Sequence, residues 1–255
     1  TTVTMDSDKT VTAIFQAVAA ADEAVTYTLT TAVDPADSGS VTGGGTYDLG
    51  ETANVEAIPA TCYEFDHWSG DLTGSTNPTT ILMDGDKSVT AHFKKITYTL
   101  ATAVDPTDSG SVTGAETYDC GETVNVEAIP ARCYEFDHWS GDLTGSTNPT
   151  TILMDGDKSV TAHFKKITYK LTTYADPDFR GYVTGGGTYD CGETALVKAH
   201  PYEGSKFDHW SGDLSGSTNP TTILMDGNKS VTAHFKKTVY YYLNTKVSPY
   251  NKGSV

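Results

Sequence analysis

The residues of this chain that could do chemistry are few in kind and return at fixed intervals. Four are cysteines: Cys62, Cys120, Cys133 and Cys191. Four cysteines allow three pairings. One is regular, Cys62 with Cys120 and Cys133 with Cys191, the two pairs having equal separations in the chain. The rival, Cys120 with Cys133, closes a short loop and leaves Cys62 and Cys191 stranded. Chain-entropy arithmetic gives about 4 kcal/mol for the wide separation and about 3 kcal/mol for the short one. The regular pairing is favoured, and it implies an oxidising compartment. No Cys-x-x-Cys occurs, which counts against a zinc site.

The other candidates are polar. Asp71, Asp84 and Asp86, with their copies further on, offer oxygen ligands of the kind calcium takes. Aspartates also cap tight turns with no ion present. Neither an EF-hand spacing nor a Gly-Gly-x-Gly-x-Asp repeat accompanies them, so the expectation is no cofactor, with calcium as the ion these positions would hold. His67 and His92 raise a metal pair or a pH switch, against the plainer reading of exposed strand histidines. Ser, His and Asp all recur, but in no nucleophile motif such as Gly-x-Ser-x-Gly. The chain therefore reads as non-catalytic.

All these residues sit in one stretch written three times. Asp66-His-Trp-Ser-Gly-Asp71 returns as Asp137 to Asp142 and, after an equal interval, as Asp208 to Asp213. Residues 26–95 and 97–166 differ at 7 of 70 positions, and the third copy is looser in its first half. Near-identical tandem copies supply length, spacing or many weak contacts, whereas an active site needs one unique constellation. Residues 2–15 match the end of a copy and 243–255 the opening of another, so a longer array is expected. The organisation is then an end of a preceding copy over 1–15, a spacer over 16–25, three copies over 26–96, 97–167 and 168–237, and the start of a following copy over 238–255. The Ala-rich spacer reads as a hinge or a short helix.

Each copy reads as a small all-β unit. Tyr27, Leu29, Thr31 and Val33 alternate with polar neighbours, as do Ala53, Val55 and Ala57, a period of two that places one set on a core face. Asp34-Pro-Ala-Asp-Ser-Gly39 is a turn cluster. Gly43 to Gly45 breaks a strand or bulges it. Residues 79–83 and 88–93 are expected to form a hairpin around Asp84-Gly85. That makes about six strands, a compact sandwich. The expected core is Leu29, Val41, Val55, Phe65, Trp68, Ile81, Met83, Val89 and Phe93, with equivalents in the later copies. Trp68, Trp139 and Trp210, with Phe93, Phe164 and Phe235, are its anchors. A tryptophan platform for sugar is the alternative, but one Trp per β unit favours an anchor.

Composition narrows the partners. Lys and Arg number 17 against 33 Asp and Glu, a formal charge of -16. Phosphate contacts need the reverse balance, so nucleic acid is excluded as a partner and an anionic membrane surface disfavoured. No apolar run approaches the ~20 residues that cross a bilayer, so no membrane insertion is expected in this segment.

A resemblance carries these readings further. Tyr27-Thr-Leu, Gly39 to Asp48, Tyr63-Glu-Phe-Asp-His-Trp-Ser-Gly-Asp71, Asn77-Pro and Met83 to Phe93 together resemble the divergent internalin-B-type B-repeat, a tandem module of large bacterial and archaeal surface proteins. The resemblance spans each whole copy. It implies a β-grasp-like module used as an extracellular stalk or adhesion segment, with no catalytic residues. The expectation is a secreted or cell-surface rod of small tandem β modules laced by disulfides. Its partners would be neighbouring repeats of the same chain, and copies of itself if chain ends exchange strands into a filament. The alternative is a multivalent adhesin for glycan or host protein through repeated surface sites, with exposed Tyr27, Tyr47 and Tyr63 and nearby Asp serving carbohydrate.

Overall fold

The computed structural model describes residue 2 and residues 4–15 and 24–246. The expected spacer falls almost wholly outside those residues, as do residues 247–255 of the following copy. The chain divides into two compact units, Thr1–Ile96 and Thr97–Val255. The first holds one copy and the second holds two.

In the first unit the strands are β1 (Thr26–Asp34), β2 (Gly39–Thr42), β3 (Gly45–Asp48), β4 (Thr52–Pro59), β5 (Tyr63–Gly70), β6 (Thr79–Leu82) and β7 (Lys87–Lys95). They make two sheets, ordered β3-β1-β7-β5 and β2-β4-β6. The core lies between them. Leu29, Trp68, Val89, Ala91 and Phe93 come from the first sheet, and Ala53, Val55, Ala57 and Ile81 from the second, joined by Met83 just past β6. Val41 and Phe65 pack at its margin, half-buried. Trp68 and Phe93, with the equivalent Trp139, Trp210, Phe164 and Phe235, are buried.

Two elements depart from the strand reading. Residues 79–93 form no hairpin: β6 pairs antiparallel with β4, while β7 pairs antiparallel with β5 and parallel with β1. The Asp84-Gly85 turn therefore carries the chain from one sheet to the other. Its geometry is set by Asp84 bonding Lys87 at 2.8 Å and by Asp86 Oδ1 accepting the N–H of Thr28 at 2.8 Å. The second departure is a seventh strand, since Gly45–Asp48 pairs with β1 as β3. Tyr47 bridges the break before it by donating its hydroxyl to the Gly43 carbonyl at 2.6 Å.

The aromatic strand carries a bulge. Phe65 pairs with Phe93 and His67 with His92, so Asp66 is the extra residue of β5. Alternation would put Phe65 and Trp68, three apart, on opposite faces. The inserted residue restores the phase, and both rings turn to the core, 5.1 Å apart. Trp68 then ties down the following loop: its N–H donates to Gly74 O at 2.8 Å and its Nε1–H to Thr76 O at 3.0 Å. At the end of that loop Asn77 takes a backbone's place. β6 pairs with β4 as far as Val55, and the next rung is the Asn77 amide, bonding both N–H and C=O of Ala57 at 2.8 and 2.7 Å.

In the second unit each copy repeats this plan. Parallel central pairs join residues 100–105 to 158–163 and 171–176 to 229–234. The middle copy splits its β4 equivalent at Glu127, and the third turns over a short 3-10 helix, Asp178–Arg180.

The anchors and the amide rung yield one test. Trp68→Ala should cost about 3–5 kcal/mol, a large share of what a unit this size holds. Asn77→Ala, which orphans two backbone groups, should cost about 1–3 kcal/mol. Urea unfolding of the two variants against the parent measures both, and a Trp68→Ala change under about 1 kcal/mol would refute the anchoring role.

Candidate functional site

The outward face of the four-stranded sheet carries a polar row in every copy. Asp34 ends the pairing of β1, His92 lies opposite it on β7, and Ser69 lies on β5. His92 Nδ1 is 3.0 Å from Asp34 Oδ2 and its Nε2 is 2.7 Å from Ser69 Oγ. In the neutral tautomer that donates Nδ1–H to the carboxylate, Nε2 accepts the serine proton. The same row recurs as Ser140, His163 and Asp105, and as Ser211, His234 and Asp176. His67 stacks on His92 with ring centroids 4.5 Å apart and 9° between planes, and its Nδ1 bonds Asp66 at 2.7 Å.

This order of contacts is that of a serine-hydrolase triad. A triad also needs donors aimed at an oxyanion. Here β7, which carries the histidine, is paired on both sides, while β5 is the outer strand of its sheet. What the arrangement does is stitch three strands together through side chains, over sequence gaps of 23 and 58 residues. The sequence offered no motif for it, because Ser69, His92 and Asp34 are brought together only by strand register.

The aspartates considered for calcium have protein partners. Asp71 Oδ2 accepts the Ser88 N–H at 2.7 Å, Asp84 pairs with Lys87, and Asp86 holds the Thr28 N–H. Asn228 does the work of Asp86 in the third copy, its Oδ1 accepting the Lys170 N–H at 2.8 Å. A backbone donor needs an oxygen opposite it, not a charge, which is why the exchange is tolerated. Among the described residues no group of three or more His, Cys, Asp or Glu is placed to hold a metal ion. Tyr27, Tyr47 and Tyr63, expected as exposed sugar contacts, are half-buried and packed on the core. Their alternation places the rings on the inner face of the sheet.

Within the second unit the two copies meet at Ile167. Its N–H donates to Cys133 O and its carbonyl accepts the Cys191 N–H, both at 2.9 Å. Beside this clamp Cys133 and Cys191 form a disulfide, with Cα atoms 5.2 Å apart. Lys166 Nζ reaches Asp190 at 3.2 Å across the same joint. Cys133 has a positive φ, and so does Gly204 at the matching position of the third copy. The turn keeps its left-handed conformation whichever residue occupies it, though only glycine adopts it without steric cost. No described cysteine is free.

Charge pairing among exposed side chains gives the fold a modest pH dependence. Within the three copies hydrogen bonds hold six aspartate carboxyls below the ordinary 3.8: Asp66 by His67, Asp84 by Lys87, Asp137 by His138 and then Lys165, Asp155 by Lys158, Asp208 by Lys236 and then His209, and Asp226 by Lys229. A carboxylate depressed in the folded state gives stability that is complete above its ordinary pKa and lost as the pH falls through the folded one. Lys87, Lys158, Lys165, Lys166 and Lys229 are raised above 10.5 by the same kind of bond. Their contribution is complete below that value and lost as the pH rises through the folded one. Melting temperature should hold level from about pH 5 to about pH 9 and fall on both sides. Because these pairs are exposed, salt at about 1 M should flatten the profile. A profile unchanged down to about pH 2 would contradict the assignment.

Comparison with known proteins places this geometry. The family model of the divergent InlB B-repeat domain matches residues 29–97, 100–168 and 171–239. No curated protein matches the chain. Among solved structures, the Bacillus anthracis TIE protein aligns with a TM-score of 0.40 and 7% identity, over 82% of this chain and 49% of that one. The chain thus spans about half the length of that protein. With three tandem matches covering most of its length, the chain belongs to the divergent InlB B-repeat domain family.

Proposed function

We propose that the chain is a non-catalytic structural segment of a secreted or cell-surface protein, a stalk or filament whose repeats are locked in line by disulfides. The observation that carries this reading is the joint at Ile167. There two backbone hydrogen bonds and the Cys133–Cys191 bridge tie consecutive copies across a single connecting residue. A second covalent tie beside the peptide chain removes swivelling that one flexible connection would allow. The reading extends the pattern to Cys62 and Cys120, which bear the same relation between the first and second copies and are not free.

The outer copies agree with such a role. Leu49 stands at the earlier cysteine position of the first copy and Gly204 at the later position of the third, so neither presents a thiol outward. Membership of a repeat family of surface proteins and the presence of a disulfide both suit an extracellular setting. Units about 30 Å across would give three in line a span of roughly 80–90 Å.

The test is small-angle scattering with and without reductant, preceded by mass mapping of a non-reduced digest. The digest should return Cys62–Cys120 and Cys133–Cys191. The oxidised chain should scatter as a stiff body near that span, and Cys133→Ser with Cys191→Ser should broaden its distance distribution. The bridge spans a sequence separation of 58. Its removal should therefore cost about 4 kcal/mol at most in unfolding. A reduced chain as stiff as the oxidised one would sink the locked-stalk reading.

A further inference from the structure

Among the positions where the third copy differs from both neighbours, six gather on one surface. Phe179, Arg180, Tyr182, Lys198, His200 and Tyr202 stand where the first copy has Asp37, Ser38, Ser40, Glu56, Ile58 and Ala60, and where the second has Asp108, Ser109, Ser111, Glu127, Ile129 and Ala131. These exchanges do not scatter. Tyr182 and His200 are direct partners across two antiparallel strands of the three-stranded sheet, and Lys198 is the partner of Thr184 on the same face. The Tyr182 and His200 rings stack 4.6 Å apart with 5° between planes, and Tyr202 lies 5.9 Å from Tyr182. The Tyr202 N–H donates to Arg180 O at 2.8 Å, which brings the 3-10 turn alongside. Arg180 there rests over the Phe179 ring at 5.3 Å.

The rings are left in water. Phe179 is 71% exposed, Tyr182 47% and Tyr202 48%. Clustered exposed aromatics on a soluble chain mark a contact surface. The charge changes with them. On the sheet face Lys198 replaces the carboxylate of Glu56 and Glu127, while at the turns beyond it Arg180 is gained together with Asp178 and Glu203. On a chain of net charge -16 the face itself changes sign at Lys198, so a carboxylate that the other copies would repel meets an ammonium there. Flat sugar faces stack on tyrosine and phenylalanine, and a guanidinium and an ammonium pair with carboxylates.

We propose that the third copy carries a single binding site for an acidic polysaccharide, one whose sugar rings bear carboxylates. The site is not repeated in the first and second copies and does not depend on whether the repeats form a stiff stalk. Arg180 and Lys198 take the carboxylates, and Tyr182, Tyr202 and Phe179 take the sugar faces.

The test uses the whole chain and a hexasaccharide of alternating glucuronate and N-acetylglucosamine, titrated by calorimetry. The expected result is one site per chain, weakened by added salt, with a neutral glucose hexasaccharide binding at least tenfold more weakly. Tyr182→Ser, Lys198→Glu, His200→Ile and Tyr202→Ala install residues that the other copies carry in the same fold, so the combined variant should fold and lose binding at least tenfold. The reverse exchange in the first copy, Ser40→Tyr, Glu56→Lys, Ile58→His and Ala60→Tyr, keeps Asp37 and Ser38 where Phe179 and Arg180 stand and should add a second, weaker site. The proposal is overturned by no binding, by equal binding of the neutral sugar, by three equal sites per chain, or by a poly-glutamate peptide that binds more tightly than the glycan.

Discussion

The parallel pairing of the first and last strands of each copy is the constraint on which the rest depends. Leu29 faces Lys87 and Asp34 faces His92, so opposite ends of the copy become neighbours. A parallel pair cannot be closed by a tight turn, so the intervening chain has to cross over. It does so by building the second sheet, β2-β4-β6, and returning. The core is what lies between that excursion and the central pair. The same pairing puts Asp86 against the Thr28 N–H and Asp34 against His92, contacts that hold the two ends of a copy side by side.

With β7 ending at Lys95 and the next strand starting at Thr97, one residue connects copies. Within the second unit that residue, Ile167, has both its backbone groups bonded, one to each copy. In that unit the Cys133–Cys191 bridge adds a covalent tie beside it. Repetition is thereby converted from sequence into geometry, one copy's last strand leading directly into the next copy's first.

Similar copies have been put to unequal use. The second half of the third copy, with its tryptophan, histidine row and amide rung, is preserved in detail. Its first half carries the exchanges that make the aromatic and basic surface. The scaffold tolerates most of them because their positions point away from the core, as Ser40, Glu56 and Ile58 alternate with the core-facing Val41, Val55 and Ala57, while Arg180 replaces the buried Ser38 and Ser109 where the third copy rebuilds the turn as a 3-10 helix.

Much was legible from residue order alone. Alternation located the core strands, because a pleated strand sends neighbours to opposite faces; Leu29, Val55 and Val89 are buried as that period requires. Equal spacing of the cysteines singled out the Cys133–Cys191 pair, since a repeated geometry must repeat its bridges. What no local pattern could supply is which strands become neighbours. Asp84-Gly85 carries a strong hairpin signal, yet its flanking strands belong to different sheets, because β7 gains two long-range partners where a hairpin offers one. The Ser69, His92 and Asp34 row, the bulge at Asp66 that turns Phe65 inward, and the half-burial of Tyr27, Tyr47 and Tyr63 follow from that register. Sequence determined the unit, its period and its inward faces, which are local properties of the chain. Tertiary structure alone decided the pairing, because the energy that selects it comes from contacts between residues far apart in the chain.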